Sequence, residues 1–97
     1  MPNAMRPIHP GEILRDELAE RGLSANALAR ALGVPANRIT GILNGTRGLT
    51  ADTALRLARC FGTSPEFWMN LQQAYELRSA RLKNGTVIER TVRPAAA

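Results

Sequence analysis

The sequence ALARALGVPANRITGILNG, residues 27–45, is the most informative part of this chain about its fold. Its apolar residues recur at helical spacing on both sides of a Gly-Val-Pro turn, which predicts two short helices joined at an angle. Gly33 supplies the permissive backbone conformation for the turn, and the small side chain of Ala29 lets the two helices cross closely. The residues that seal the angle between them are Val34, Ile39 and Ile42. This spacing is the helix-turn-helix pattern, although an αα-hairpin in any helical protein can show it by chance.

Start and stop signals elsewhere in the chain predict three further helices. Ser24, Thr50 and Ser64 are good N-cap residues, and Gly22 and Gly62 are typical of the position that follows a helix. The helices are expected at residues 11–21, 25–32, 35–44, 51–61 and 65 to 82 or 83. The sequence therefore predicts an all-α, five-helix domain over residues 1–83, whose first few residues are flexible.

Residues 84–97 are predicted to form an extended C-terminal tail. Asn84 and Gly85 are expected to end the last helix, and the segment TVIERTV is rich in β-branched residues, which favour a short strand. Such a strand could pair with the sheet edge of a partner protein. Disorder is the alternative for a segment that ends in Pro94 and a run of alanines.

The composition is that of one small globular domain. The 97 residues are 44% apolar, and no apolar run approaches the roughly 18 residues that a membrane span needs. The N-terminus lacks the pattern of a signal peptide, so we expect a cytoplasmic protein with no membrane partner. Cys60 is the only cysteine, which excludes an intrachain disulfide. Its position beside Phe61 on a helix predicts a small, buried hydrophobic side chain.

The net charge of +5 is unevenly distributed along the chain. Residues 22–51 contain no acidic side chain but include Arg30, Arg38 and Arg47. One side of the domain is therefore expected to be electropositive. Charge alone leaves two interpretations open, a solvated basic surface and a face that binds nucleic acid.

The second helix of the helix-turn-helix pair has an outward stripe that favours the nucleic-acid interpretation. If Ile39 and Ile42 face the core, the residues that point outward or lie on the flanks are Asn37, Arg38, Thr40, Gly41 and Asn44. A helix that only solubilises a protein normally carries Glu and Lys at i,i+4 spacing. Amide, hydroxyl and guanidinium groups instead suit base edges in a major groove. We therefore predict that Asn37, Arg38, Thr40 and Gly41 read bases, with a non-specific surface as the alternative.

Gly41 is informative because a helix-interior glycine costs about 1 kcal/mol relative to alanine. A close approach of the backbone to DNA would explain this glycine, whereas an unselected position would read no base. The second helix of the pair is called the recognition helix below. The predicted phosphate-binding residues flank it in sequence and are Ser24, Asn26, Asn44, Thr46 and Arg47.

The last helix has more large apolar residues than a domain of this size needs for its own core. We assign to a homodimer interface the residues Trp68, Met69, Leu71, Tyr75 and Leu82. A dimer would present two recognition helices about 34 Å apart to a palindromic double-stranded DNA operator. The alternative is that these side chains only close the monomer core.

An enzyme is the hypothesis from another class, and the sequence gives it little support. It contains no Gly-rich phosphate loop, no Ser/His/Asp set and no metal cluster, so no catalytic residue, cofactor or metal is expected. His9, the only histidine, is expected to be a capping or surface residue. Glu12, Asp16 and Glu20 share one helical face at i,i+4 spacing, where a solvated acidic face is favoured over a divalent ion.

Several motifs together resemble one family of bacterial regulators. The motifs are HPGEIL, ALARALGV, NRI..ILNG, LTADTALRLAR and FGTSPEFWMNLQ, and the resemblance covers about residues 5–82. The chain is similar to the HigA addiction-module antitoxins, within the Cro/cI-like (XRE) helix-turn-helix class. The resemblance implies a lambda-repressor-like, dimeric DNA-binding domain that represses its own operon. It also implies a cognate HigB toxin, similar to RelE-type messenger RNA endonucleases, that the antitoxin binds and silences.

Two alternatives to this function remain at the level of sequence. One is a stand-alone XRE-type transcriptional regulator without a toxin, which the absence of a toxin-sized reading frame beside the gene would indicate. The other is a helical protein-interaction module, in which an Arg38→Ala change would leave function intact.

Overall fold

The computed structural model describes residues 6–96, which form five helices and no strand. The helices are α1 (Pro10–Arg21), α2 (Ala25–Leu32), α3 (Ala36–Leu43), α4 (Ala51–Phe61) and α5 (Pro65–Thr91). The prediction of an all-α, five-helix domain is therefore confirmed. Within residues 6–96, no helix combines the length and apolar character needed to cross a bilayer.

Local capping fixes where most of the helices begin. The hydroxyl oxygens of Ser24, Thr50 and Ser64 each accept a hydrogen bond from the backbone N–H three residues later, which satisfies a donor that the helix itself leaves unpaired. His9 caps α1, since its Nδ1 accepts from the N–H of Gly11 at 2.9 Å while the Glu12 carboxylate accepts from the N–H of His9 at 3.2 Å. The capping interpretation of His9 is confirmed.

The core lies where the apolar faces of all five helices meet. Its buried members are Leu14, Leu18, Leu28, Ala29, Leu32, Ile39, Ile42, Leu49, Ala54, Leu57 and Trp68. Ile39 and Ile42 of α3 are completely inaccessible to solvent. Because burial of these two side chains fixes the rotation of α3 about its axis, its opposite face must point outward.

The C-terminal prediction was wrong for residues 84–91. Helix α5 does not end at Leu82 or Lys83 but continues through Asn84 and Gly85 to Thr91. Residues 92–96 have no regular secondary structure. A helix satisfies its backbone N–H and C=O groups within the segment, whereas a single strand needs an edge to pair with. Since residues 6–96 contain no sheet, the β-branched composition of TVIERTV does not decide its conformation.

Candidate nucleic-acid interface

Helices α2 and α3 form the predicted helix-turn-helix. Gly33 ends α2 with a φ of 71°, a left-handed conformation that other residues rarely adopt, and the N–H of Val34 donates to the carbonyl of Ala29 at 3.0 Å. Pro35 is the N-cap of α3, with extended ψ, so α3 begins one residue later than the sequence predicts. The turn therefore sets the angle at which α3 leaves α2.

The outward face of α3 carries side chains with unused hydrogen-bonding capacity. Asn37, Thr40 and Asn44 are exposed, and among residues 6–96 their side chains have no hydrogen-bond partner. Each offers a donor and an acceptor to solvent. The residues that the sequence places outward are thus available to a ligand that lies along α3.

Arg38 lies toward α4 rather than directly outward. Its Nη1 donates to Oδ2 of Asp52 at 2.7 Å, and its side chain is 30% exposed. The same oxygen accepts from Nε of Arg56 at 2.9 Å, and Nη1 of Arg56 donates to the carbonyl of Leu32 at 2.8 Å. These hydrogen bonds, first that of Arg56 and then that of Arg38, hold the pKa of the Asp52 carboxyl below its ordinary value. The i,i+4 spacing of Asp52 and Arg56 is visible in the sequence, but the contact with Arg38 is not.

Gly41 is explained by a contact within the chain. The carbonyl of Gly41 accepts from the backbone N–H groups of Thr46 and Arg47 at 3.0 and 3.1 Å and from the Thr46 hydroxyl at 3.2 Å. A Cβ atom added at Gly41 would lie 3.2 Å from Cβ of Arg47. The 46–47 loop therefore accounts for this glycine within the chain, and base reading at Gly41 stays a prediction.

The candidate phosphate-binding residues lie in the segments on either side of α3. Ser24 and Asn26, at the N-terminal end of α2, are exposed, as are Asn44, Thr46 and Arg47 in the segment after α3. Arg47 lines the same surface groove as Arg38, together with Thr50 and Asp52. The structure thus brings Arg38 of the base-reading set and Arg47 of the phosphate-binding set to one groove.

Two contacts from α1 support α3, and neither has a local signal in the sequence. Nη2 of Arg15 donates to the carbonyl of Leu43 at 3.0 Å, which satisfies a C-terminal acceptor of α3 with a cation that also suits the helix dipole. Gly11 is buried against the carbonyl group of Ile42, where a Cβ atom would overlap the oxygen. Both contacts join residues about thirty positions apart, which helical periodicity alone cannot reveal.

The residues assigned to a dimer interface fall into three environments. Trp68 is 1% exposed and donates through Nε1 to the Thr63 hydroxyl at 2.9 Å, so its assignment to an interface was wrong and it closes the monomer core. Met69 and Leu71 are half-buried against that core. Tyr75 is half-buried with its ring centroid 4.8 Å from that of His9, and Leu82 is exposed.

The remaining sequence-based candidates lie away from this face. Cys60 is exposed, so the prediction of a buried thiol was wrong, because Cys60 lines an open surface groove between α2 and α4. Glu12 is engaged by Arg6 at 2.9 Å, and that hydrogen bond is the largest cause of a lowered Glu12 pKa. Within residues 6–96, no group of three or more His, Cys, Asp or Glu side chains is arranged to hold a metal ion.

Known sequences match the chain over most of its length. The helix-turn-helix family model HTH_3 matches residues 14–68. Virulence-associated protein I of Dichelobacter nodosus is 57% identical over 79 residues, which cover 80% of this chain and 73% of the relative. Antitoxin HigA-1 of Vibrio cholerae is 43% identical over 77 residues, which cover 78% of this chain and 72% of that protein.

Solved structures match the chain beyond the residues of the family model. An addiction module antidote protein of the HigA family from Coxiella burnetii has 59% identity and a TM-score of 0.89, over 93% of this chain and 99% of that one. The Pseudomonas aeruginosa antitoxin HigA, solved with the higBA promoter, has 53% identity and a TM-score of 0.90, over 94% of this chain and 100% of that one.

Proposed function

Because the chain belongs to the helix-turn-helix family and, within it, to the HigA antitoxins, we propose that it is a DNA-binding repressor of its own operon and the antitoxin of a HigB-type toxin. The DNA-binding role is supported above all by the exposed face of α3, where Asn37, Thr40 and Asn44 present polar groups without a hydrogen-bond partner among residues 6–96. This face belongs to the acid-free segment of residues 22–51, so a phosphate backbone meets no like charge from that segment. The P. aeruginosa antitoxin with its promoter supports the same role here.

In this proposal α3 enters the major groove and its side chains read bases. Asn37, in the first turn, is suited to a bidentate contact with adenine, and the guanidinium of Arg38 to the acceptors of guanine. Thr40 lies one helical turn after Asn37 on the same face. Gly41 contributes little direct contact, since part of its surface is covered by the 46–47 loop.

Contacts to phosphates then set the register of α3 in the groove. Ser24 and Asn26 lie at the N-terminal end of α2, where unpaired backbone N–H groups and the helix dipole attract anions. Asn44, Thr46 and Arg47 act on the other side of α3, and Arg47 supplies the charge. These contacts supply affinity that depends on salt and carry little sequence information.

We further propose that two copies bind a palindromic operator as a homodimer. Past the domain core, α5 has exposed apolar side chains that the monomer leaves uncovered, namely Leu77, Leu82, Val87 and Ile88. Leu77 and Ile88 line one groove on α5, and exposed apolar surface commonly marks a protein interface. Trp68 is buried in the core and is therefore not a candidate for the dimer contact. The candidates are these four residues together with the partly exposed Met69, Leu71 and Tyr75.

Toxin neutralisation in the cytoplasm is proposed from family membership. The test is co-expression of the chain with the product of a toxin-sized reading frame beside its gene. Copurification and restored growth are expected, whereas a gene without such a neighbour would leave a stand-alone regulator as the function.

The DNA-binding role is tested by fluorescence anisotropy with the DNA just upstream of the gene and a scrambled duplex. The wild type is expected to prefer the upstream DNA by at least about a thousandfold, at the low end of specific recognition. Asn37→Ala should lose about 1 to 3 kcal/mol of that preference. Asn70→Ala is the matched control, because Asn70 is an exposed amide on α5, away from α3.

Two results would contradict this proposal. Equal binding of both duplexes by the wild type would show that α3 does not read sequence. An equal loss of preference in Asn37→Ala and Asn70→Ala would show that the loss does not arise at the outward face of α3.

A further inference from the structure

Three charged side chains link α2, α3 and α4 at the candidate interface. Oδ2 of Asp52 accepts from Arg38 at 2.7 Å and from Arg56 at 2.9 Å. Arg56 is itself anchored, because its Nη1 donates to the carbonyl of Leu32 at the end of α2 and lies close to the Gly33 turn. The Asp52 carboxylate is therefore held from one side by Arg56 and holds Arg38 on the other.

The ion pair with Asp52 leaves most of the Arg38 guanidinium unused. An arginine side chain has five N–H donors in a fixed planar fork. Among residues 6–96, the only partner of this guanidinium is Asp52, through Nη1. The other donors remain available, while one edge of the plane is fixed relative to α3 and α4.

We infer that Asp52 is a positioning residue for DNA recognition, which fixes the Arg38 guanidinium so that its remaining donors meet one base rather than the nearest phosphate. The inference rests on the proposed function and names a determinant of specificity outside the recognition helix. An unrestrained arginine has a long, flexible stem and pairs readily with any phosphate in reach. A restrained one loses less side-chain entropy when it makes a defined contact.

The charge of Asp52 has a second effect, on the affinity for DNA of any sequence. Asp52 is the first acidic residue after the acid-free segment, and its side chain is 56% exposed beside Arg38 and Arg47. A carboxylate at this place repels phosphates and neutralises part of the local positive charge, which weakens binding to DNA of any sequence. The charge of Asp52 should therefore lower the affinity for both duplexes, whereas the positioning of Arg38 raises the ratio of specific to non-specific affinity.

The test is a double-mutant cycle with Asp52→Asn, Arg38→Ala and the double variant, measured by anisotropy on the upstream and scrambled duplexes over a salt series. Asp16→Asn is the matched control, since Asp16 is an exposed acid on α1 whose loss changes the net charge equally. Thermal unfolding followed by circular dichroism checks that each variant folds. The ratio of the two dissociation constants does not depend on the fraction of active protein.

Asp52→Asn is expected to lower the preference for the upstream duplex about tenfold, the loss of one well-placed base contact. Binding to the scrambled duplex should become tighter, with a salt slope steeper by about one because Arg38 then pairs with a phosphate. In the Arg38→Ala background the same change should alter the preference less than about twofold. Asp16→Asn should leave the preference within about twofold of the wild type.

The inference would be overturned if Asp52→Asn kept a preference for the upstream duplex within twofold of that of the wild type. An equal loss in the wild-type and Arg38→Ala backgrounds would also overturn it, since Asp52 would then act through stability or overall charge. These outcomes differ from failure of the proposed function, in which the wild type itself does not distinguish the two duplexes.

Discussion

The backbone N–H of Leu49 donates a hydrogen bond of 2.7 Å to Oε1 of Gln72 inside the protein. The contact joins the segment after α3 to the first third of α5. The Gln72 amide also donates to Glu76 at 2.8 Å, and a Cβ atom at Gly48 would approach the amide to 2.8 Å. One buried polar side chain thus fixes the segment that carries the candidate phosphate-binding residues.

Replacing Gln72 should destabilise the fold measurably. Gln72→Leu leaves the buried N–H of Leu49 without an acceptor, so the free energy of unfolding should fall by about 1 to 3 kcal/mol. Urea denaturation measures the change. Gln73→Leu is the control, because Gln73 is exposed on the same helix. Similar stabilities for the two variants would show that the hydrogen bond contributes nothing specific.

Gly11→Ala should destabilise the protein through steric overlap. The added methyl group would overlap the carbonyl oxygen of Ile42 and force α1 and α3 apart, at a cost of about 1 to 3 kcal/mol in unfolding free energy. Gly85→Ala is the matched control, because a Cβ atom at Gly85 would lie 3.9 Å from Cβ of Arg81, an ordinary van der Waals contact. Alanine stabilises a helix by about 1 kcal/mol relative to glycine, so this variant should be more stable than the wild type. Denaturation curves that moved in the same direction for both variants would contradict this prediction.

The Asp52 carboxyl should titrate below the ordinary pKa of an aspartate. Hydrogen bonds from Arg56 and Arg38 lower this pKa in the folded protein. The associated stabilisation is complete above the unfolded-state pKa and is lost as pH falls through the lowered one. A carbon-detected NMR titration of wild type and Arg56→Gln should show a higher Asp52 pKa in the variant, and an unchanged pKa would refute the assignment of Arg56 as its main cause.

Cys60 should react with a thiol reagent in the folded protein. Its side chain is exposed on α4, so access does not require unfolding. We expect complete reaction with Ellman's reagent without denaturant. Reaction only after addition of urea would restore the sequence-based prediction of a buried thiol.

The proposed dimer should depend on the exposed part of α5. Ile88→Lys and Leu82→Lys each place a charge on apolar surface that the monomer leaves uncovered, which should shift the protein toward monomer. Light scattering after gel filtration measures the mass, with Ala95→Lys in the exposed segment after α5 as the control. A monomeric wild type at micromolar concentration would contradict the proposal itself.

Local signals explain what could be predicted from the sequence. Ser24, Thr50 and Ser64 mark helix starts through hydrogen bonds that span three residues, and Gly33 marks the turn through its own backbone conformation. Ile39 and Ile42 fix which face of α3 is buried through a period of 3.6 residues. Each of these effects acts within about one helical turn, so the helix starts, the turn and the buried face of α3 can be predicted from the amino-acid sequence alone.

Contacts between residues far apart in the sequence determine the side-chain pairing and burial that could not be predicted. Because capping and helical periodicity are local, the amino-acid sequence was enough to predict the number and order of the helices, the helix-turn-helix and the exposed polar stripe of α3, but not the end of α5. Three features follow from the packing of the helices: Arg38 pairs with Asp52, Gly11 packs against Ile42, and Trp68 is buried while Cys60 is exposed. These outcomes depend on which helix surfaces meet, and burial or pairing of a side chain is a property of that packing rather than of its neighbours in sequence.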